Sequence, residues 1–134
     1  MTLKEATIIA SVLSKLSVPV LHSAAALLKL SQHEYSGARS IFIKTLLDKR
    51  YALPQRAVES MVAYFGRFTG YTGKLPVLWH QSFLVFVQRY KREFDSIQRT
   101  HLLKVLEKNY HEQISAEIVR ELEAGVLKVV SPQV

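Results

Sequence analysis

The sequence contains no cysteine, few glycines and no long apolar run, and each of these shortages excludes a class of protein. Without cysteine the chain cannot form a disulfide, a thiolate metal site or a cysteine nucleophile, which suits a reducing compartment. The longest central apolar run, residues 83–87, is far shorter than the roughly 18 residues of a membrane span. Nothing near the N-terminus resembles a signal peptide. We therefore expect a soluble, intracellular protein with no membrane partner.

Motifs of catalysis and cofactor binding are also missing. The five glycines form no G-x-G-x-x-G, Walker A or G-x-S-x-G pattern. Carboxylates are scarce in the middle of the chain, so no acid–base pair is apparent. The five histidines include no pair with the i, i+4 spacing of a helical zinc site, which favours surface or hydrogen-bonded roles for them. We expect no enzyme activity, no cofactor, no metal and no small-molecule substrate.

Apolar residues at helical spacing are abundant. The chain has 134 residues, 49% of them hydrophobic, which is the length of one domain with enough apolar side chains for a core. The pattern predicts an all-α fold of about seven helices in a single domain, residues 1–134, with a frayed tail at 128–134. Because the loops between consecutive helices are short, the helices should run antiparallel to their neighbours in a HEAT-like or solenoid-like stack.

Capping residues and prolines mark the predicted helix ends. Thr2 and Glu5 form a capping-box pattern. Further N-caps are predicted at Ser36, at Asp95 or Ser96, and at Ser115. Pro54 and Pro76 suit the first positions of the fourth and fifth helices. The third helix should span about 37–50, the seventh should end near Gly125, and residues 69–74 form the one obvious loop, the best candidate for mobility.

The apolar stripes predict which helix faces are buried. The inward positions predicted for the first helix are Ile8, Ile9, Val12, Leu13 and Leu16, and those for the fourth are Val58, Met61, Val62, Phe65 and Phe68. Those for the sixth helix are Ile97, Leu102, Leu103, Val105 and Leu106, and those for the seventh are Ile118, Val119 and Leu122. The fifth helix lies in LPVLWHQSFLVFVQRYKR, residues 75–92, and is apolar on nearly every side before it ends in basic residues. Such a helix should be central, with neighbours on at least two sides.

Positive charge is concentrated in the middle of the chain. The net charge is +7, and residues 36–92 hold ten Lys or Arg against two acids, a net +8. The two flanking stretches are nearly neutral in comparison, at +1 for residues 1–35 and −2 for residues 93–134. Cations at helix C-termini are favoured by the helix dipole, but capping alone does not require so long an acid-poor span. The balance favours an anionic partner.

The predicted stack places many of these cations at one edge. In antiparallel packing, helices three and five end where helix four begins. The residues expected on that edge are Lys49, Arg50, Arg56, Arg89, Lys91 and Arg92, which we call the basic edge. A secondary basic edge on the opposite side would contain Arg39, Arg67 and Lys74. Because most aromatic residues fall on apolar stripes, we expect salt-sensitive phosphate and shape contacts to a structured nucleic acid, and little stacking on single-stranded bases.

Several strings in the chain resemble the bystin family. They are T-L-K-E-A at 2–6, S-V-P-V-L-H-S-A-A-A-L-L-K at 17–29, Y-S-G-A-R-S-I-F at 35–42, L-L-D-K-R-Y-A-L-P at 46–54, L-P-V-L-W-H-Q at 75–81, Q-R-Y-K at 88–91 and I-S-A-E-I-V-R-E-L at 114–122. The resemblance runs in register along nearly the whole chain, which looks like the C-terminal part of a longer bystin-like protein. Val119 stands where the family usually has arginine, which weakens any RNA contact by the last helix.

The resemblance implies a non-catalytic factor for assembly of the small (40S) ribosomal subunit. Its expected partners are precursor small-subunit rRNA, other assembly factors and ribosomal proteins of the subunit head. Its expected location is the nucleus and nucleolus, with passage to the cytoplasm on pre-ribosomal particles. Two functions remain open: an RNA-contacting scaffold for rRNA processing, and a protein–protein adaptor whose helical grooves bind peptide segments of partners without touching RNA.

Overall fold

The computed structural model describes residues 2–71 and 73–130, with side chains described as far as residue 124. These residues form seven α-helices and two short 3₁₀ helices, and no strand. The α-helices are α1 (Leu3–Lys15), α2 (Val20–Ser31), α3 (Gly37–Leu47), α4 (Gln55–Gly66), α5 (Val77–Tyr90), α6 (Ser96–Lys108) and α7 (Ser115–Val130). One 3₁₀ helix, Arg67–Gly70, follows α4, and the other, Lys91–Glu93, follows α5. The predicted all-α fold is confirmed.

The helices form two layers. The odd-numbered helices α1, α3, α5 and α7 pack side by side in one layer, and α2, α4 and α6 pack in the other. The chain therefore crosses between layers at each short connection, as in a helical-repeat stack. None of the described helices is both long enough and apolar enough to span a bilayer.

Local capping chemistry sets three of the predicted helix starts, whereas the cap predicted at Ser115 is wrong. Ser115 is the first residue of α7, and its hydroxyl oxygen accepts a hydrogen bond from the backbone N–H of His111 at 2.8 Å. Thr2 Oγ1 accepts a hydrogen bond from the backbone N–H of Glu5 at 3.1 Å, and the Glu5 carboxylate accepts one from the N–H of Thr2 at 2.9 Å. These hydrogen bonds lower the pKa of Glu5. Ser36 caps α3, and Asp95 forms a second capping box with Gln98 at the start of α6. Each cap satisfies backbone donors that the first helical turn leaves free.

The core is built around α5, as its apolar circumference predicts. The Phe65 ring from α4 stacks on Phe83 and Phe86 of α5, with centroid separations of 4.8 and 5.4 Å. The Trp79 ring meets Phe65 edge-on at 5.8 Å and is fully buried. The predicted stripe of α4 is buried throughout. Because α5 has α3 on one side and α7 on the other, it connects the two halves of its layer.

The first and sixth helices do not bury all the residues that their apolar spacing predicts. Ile8, Ile9 and Val12 of α1 and its C-cap Leu16 are 57, 46, 56 and 54% exposed, and Ile97 and Leu103 of α6 are 79 and 37% exposed. The face of α1 that packs on α3 is instead lined by Ala6 and Ala10, because small side chains allow close helix approach. Periodicity identifies an apolar face without saying what covers it.

Besides the start of α7, four helix boundaries differ from the sequence prediction, at the end of α3, the starts of α4 and α5, and the end of α7. α3 ends at Leu47 with Asp48 as its C-cap, so Lys49 and Arg50 lie in the following turn and not on the helix. Pro54 and Pro76 are N-cap residues, one position earlier than predicted. Residues 69 and 70 of the predicted loop belong to a 3₁₀ helix.

α7 continues past Gly125 to Val130, farther than predicted. The predicted frayed tail, residues 128–134, lies outside the described residues from 131 onward.

Candidate nucleic-acid interface

The ends of α3 and α5 meet at one edge of the odd-numbered layer. Arg89 Nη2 donates a hydrogen bond to Asp48 Oδ1 at 2.8 Å, which joins the last turn of α5 to the C-cap of α3. Gln55 at the start of α4 lines a cleft with Arg92 from the 3₁₀ helix after α5. The structure thus brings the residues of the basic edge to the same end of the stack, as antiparallel packing requires.

Three cations of the basic edge are engaged in contacts within the protein. Lys49 Nζ donates to the backbone carbonyl of Leu16 at 2.6 Å and so caps the C-terminus of α1. Arg89 pairs with Asp48, and Lys91 forms a salt bridge with Glu121 of α7. All three side chains are only partly exposed. Each of these contacts connects two helical segments, so the three cations stabilise the fold and are less available to a ligand.

The other three cations, Arg50, Arg56 and Arg92, are exposed. Among the described residues, none of their guanidinium groups forms a hydrogen bond or a salt bridge. Arg92 lies in the cleft near Glu59 and Glu93 without pairing with either carboxylate. These three arginines are therefore the members of the basic edge most available to an anionic ligand.

Arg50 has an unusual backbone conformation. Its φ of 61° is in the left-handed region, and no other non-glycine residue among those described has a positive φ. Its N–H donates to the carbonyl of Leu47 at 3.2 Å, which closes the turn after α3. Glycine is the residue that usually occupies such a position after a helix, because a Cβ atom costs roughly 1–2 kcal/mol there. An arginine at this position presents charge at a conformational cost.

The secondary basic edge lies at the opposite end of α3 and α4. Arg67 Nη2 donates to the carbonyls of Ser31 and His33, at 2.7 and 3.0 Å, and its guanidinium lies 5.2 Å from the Tyr64 ring centroid. Arg39 Nη1 donates to the carbonyl of Glu34 at 2.7 Å. Lys74 is exposed. Arg67 therefore caps the C-terminus of α2 while keeping an exposed charged group.

An aromatic pocket adjoins Arg67, and no apolar or charge pattern of the sequence predicts it. The pocket has a volume of about 390 Å³ and is lined by Glu34, Tyr35, Arg67, Phe68 and Tyr71. Tyr71 is 45% exposed, whereas Phe68 at the base is buried. The signal in the sequence is Tyr71 itself, since it follows Gly70 in a segment without helical periodicity and so belongs to no apolar stripe.

A second groove is apolar and lies between α1, α2 and α3. It has a volume of about 380 Å³ and is lined by Leu13, Val18, His22, Ser23, Ala26, Lys29, Leu30, Phe42 and Leu46. We call it the α1–α2 groove. Ser23 Oγ is buried there and has no hydrogen-bond partner among the described residues. This groove is the candidate site for a peptide segment if the protein acts as a protein–protein adaptor.

Comparison with known proteins identifies the family. The family model for bystin matches residues 1–131. The chain belongs to the bystin family. It is 54% identical to bystin from Monosiga brevicollis over 121 residues, which is 90% of this chain and 29% of that protein. It is 54% identical to Drosophila melanogaster bystin over 124 residues, 92% of this chain and 28% of the relative.

Human bystin is 50% identical over 125 residues, covering 93% of this chain and 29% of the human protein. The chain thus spans less than a third of the length of these relatives, and it matches their C-terminal part. The bystin match includes every residue of both basic edges and of the aromatic pocket. Bystin is not a known family of enzymes.

The described part of this bystin-family chain contains no cluster of three or more His, Asp or Glu side chains that would hold a metal ion. His80 and His111 are neighbours, with ring centroids 5.1 Å apart. Burial, together with the charge that His111 would carry, lowers the pKa of His80 from 6.5 to about 4. His80 is therefore a neutral core residue at neutral pH.

Proposed function

We propose that this bystin-family chain is a non-catalytic helical scaffold for maturation of the small (40S) ribosomal subunit, and that its basic edge contacts precursor rRNA. The observation that carries the proposal is the set of three exposed arginines, Arg50, Arg56 and Arg92, which form no ion pair with any described residue. They lie at the end of the stack where α3 and α5 terminate. Arginine binds phosphate through several donors in a fixed geometry. Phosphate contacts position a protein on RNA without reading its sequence.

Charge supports this role more strongly than any apolar surface does. The segment that supplies the edge carries a net +8 over residues 36–92. Within that segment Asp48 is paired with Arg89, and Glu59 is exposed. The edge is held by packed helices and by three internal cation contacts, so its geometry is fixed before a ligand arrives. A rigid basic edge suits the backbone of a folded RNA, whose shape is also fixed.

The partners and location follow from the same proposal. They are precursor small-subunit rRNA, assembly factors and ribosomal proteins of the subunit head, in the nucleus and nucleolus and then on cytoplasmic pre-ribosomal particles. The bystin relatives are more than three times as long as the matched segment, so these roles belong to the longer protein of which such a segment is part.

A salt series with a structured small-subunit rRNA fragment tests the proposal. The triple variant Arg50→Gln, Arg56→Gln, Arg92→Gln should weaken binding. It should also make the slope of log K against log salt shallower by about 2–3, since each phosphate contact contributes about 0.7–0.9. The matched control changes Lys4, Lys104 and Lys108 to Gln, because these lysines are also exposed and lie outside both basic edges. Equal losses in the two triple variants would contradict an RNA contact at the basic edge.

The adaptor alternative rests on the α1–α2 groove. Its apolar lining and the unpartnered Ser23 hydroxyl suit an apolar peptide segment that can also hydrogen-bond. Binding of such a peptide should tolerate salt, because apolar anchors are not screened, and it should be lost on Ala26→Trp. Peptide binding of that kind, together with no RNA binding, would favour the adaptor over the scaffold.

A further inference from the structure

The aromatic pocket presents flat rings to solvent beside fixed positive charge. The Tyr35 and Phe68 rings meet edge-to-face at 6.4 Å, and the Phe68 and Tyr71 rings lie 6.0 Å apart with an angle of 55° between their planes. Tyr35 is half-buried and Tyr71 is 45% exposed. Its volume of about 390 Å³ falls in the range of sites that hold small ligands. Exposed tyrosine rings are platforms on which unpaired bases stack.

The base of the pocket is rigid. The Phe68 ring packs on Trp79 at 5.4 Å and on Tyr64 at 5.5 Å, both of them buried. Asn109 Nδ2 donates to the carbonyl of Phe68 at 2.8 Å and so ties this 3₁₀ helix to the end of α6. A ligand that enters therefore meets a surface already in place, and little ordering cost remains for the base of the site.

The polar groups of the pocket match the two chemical parts of a nucleotide. The Arg67 guanidinium is held by the carbonyls of Ser31 and His33 and remains exposed, a geometry suited to a phosphate. Glu34 also lines the pocket, and its carboxylate forms no salt bridge among the described residues. A carboxylate accepts hydrogen bonds from the exocyclic amino group of cytosine but has no donor to meet in uracil at that position.

We propose that the aromatic pocket binds one unpaired RNA base that carries an exocyclic amino group. The base stacks on Tyr71 above Phe68, Glu34 accepts from the amino group, and Arg67 contacts the adjacent phosphate. The pocket lies about 16 Å from the basic edge, the length of the 11 residues of α3. The proposal deepens the proposed RNA contact and rests on it, because it assigns a base-reading role to the end of the stack opposite the phosphate-binding edge.

Fluorescence anisotropy with labelled hexacytidine and hexauridine tests the site, since these probes have rings of equal size and equal charge. Tyr71→Ala should weaken hexacytidine binding by roughly 5- to 150-fold, the range for loss of one stacked base. Tyr110→Ala is the matched control, because Tyr110 is 60% exposed and lies in the connector after α6. Thermal melting checks that both exposed-residue variants remain folded.

Glu34→Gln separates base reading from stacking. The wild-type chain should prefer hexacytidine over hexauridine, and Glu34→Gln should remove that preference without weakening hexauridine binding. Equal effects of Tyr71→Ala and Tyr110→Ala, or no preference between the two probes, would overturn the proposal. If Tyr71→Ala has no effect while the basic-edge triple variant still changes the salt slope, the pocket fails and the RNA scaffold stands. If Tyr71→Ala weakens binding while the basic-edge triple variant leaves the salt slope unchanged, the pocket is supported and the phosphate contact at the basic edge is rejected.

Discussion

Removal of the Asp48 carboxylate should strengthen RNA binding if the basic edge contacts phosphate. Asp48 accepts hydrogen bonds from Arg89 Nη2 at 2.8 Å and from Nε at 3.2 Å, so it neutralises one cation of the edge. Asp48→Asn preserves the shape of the residue, removes this negative charge and frees Arg89. An additional unit charge about 5 Å from a phosphate contributes roughly 0.8 kcal/mol in water, or about a fourfold increase in affinity. The salt slope should steepen by about 0.9.

The same substitution should leave stability nearly unchanged. Asp48 is 54% exposed at its side chain, and exposed ion pairs contribute only about 0.2–1 kcal/mol. Asp48 is also the C-cap of α3, where the helix dipole disfavours a negative charge by about 0.3–1 kcal/mol. The two effects have opposite signs and similar size. Chemical denaturation should therefore show a change in unfolding free energy within about 0.5 kcal/mol, so that a change in RNA affinity reports binding alone.

Glu117→Gln is the control for this prediction. Glu117 pairs with Arg120 within α7, so its removal changes the net charge by the same amount without freeing a cation of the basic edge. Anisotropy titrations with the structured rRNA fragment, from about 50 to 200 mM salt, compare the two variants. If Asp48→Asn binds no more tightly than Glu117→Gln, Arg89 is not near phosphate and the charge argument for the edge is refuted.

Three further predictions follow from burial, strain and titration. Ile43→Ala should cost about 2–5 kcal/mol of unfolding free energy because Ile43 is fully buried, whereas Ile8→Ala, at a 57% exposed site, should cost less than about 0.5 kcal/mol; urea denaturation checks both. Arg50→Gly should raise the free energy of unfolding by about 0.5–1 kcal/mol, because glycine relieves the strain of the positive φ, and it should weaken RNA binding, because it removes a cation. Thermal melting and RNA titration check the two effects. An unchanged stability would contradict the strain at this position, and an unchanged affinity would contradict the phosphate contact. The pKa of His80 is about 4 in the folded protein against 6.5 when unfolded, so the unfolded chain binds more protons between these values. The stability that neutral His80 contributes should therefore be fully present above pH 6.5 and fall by about 2 kcal/mol by pH 5. His80→Gln should flatten this profile in a series of denaturation curves measured at different pH values.

Features that depend on local chemistry could be predicted from the sequence. The capping box of Thr2 and Glu5 and the Asp95 cap are decided within one helical turn, so the residues themselves specify them. The burial of α5 could also be predicted, because a helix that is apolar on all sides has few stable alternatives in water. The meeting of the ends of α3 and α5 with the start of α4 could be predicted as well, because consecutive helices run antiparallel.

Features that depend on distant partners could not be predicted. Nothing near Arg89 in the sequence identifies Asp48 as its partner, since the two are 41 residues apart, and Lys91 and Glu121 are 30 apart. These pairs separate the cations of the basic edge that bind a partner within the protein from those that remain available to a ligand. The sequence does not show this distinction, because it depends on residues that are distant along the chain. The exposure of Ile8 was missed for a related reason: its spacing shows an apolar face, but only the packing of neighbouring helices decides whether that face is covered.

The apolar sides of the fifth helix and the basic residues at its end both serve to hold the odd-numbered layer together. The apolar circumference of α5 holds it between α3 and α7, and this packing sets the relative height of the ends of α3 and α5. Arg89 and Lys91 then fasten α5 to Asp48 and to Glu121. Of the three cations at this end of the helix, Arg92 alone is exposed and forms no ion pair among the described residues. The concentrated charge at the end of the helix thus has two parts: Arg89 and Lys91 align the layer through their ion pairs, and Arg92 stays available at the end of the stack where α3 and α5 terminate.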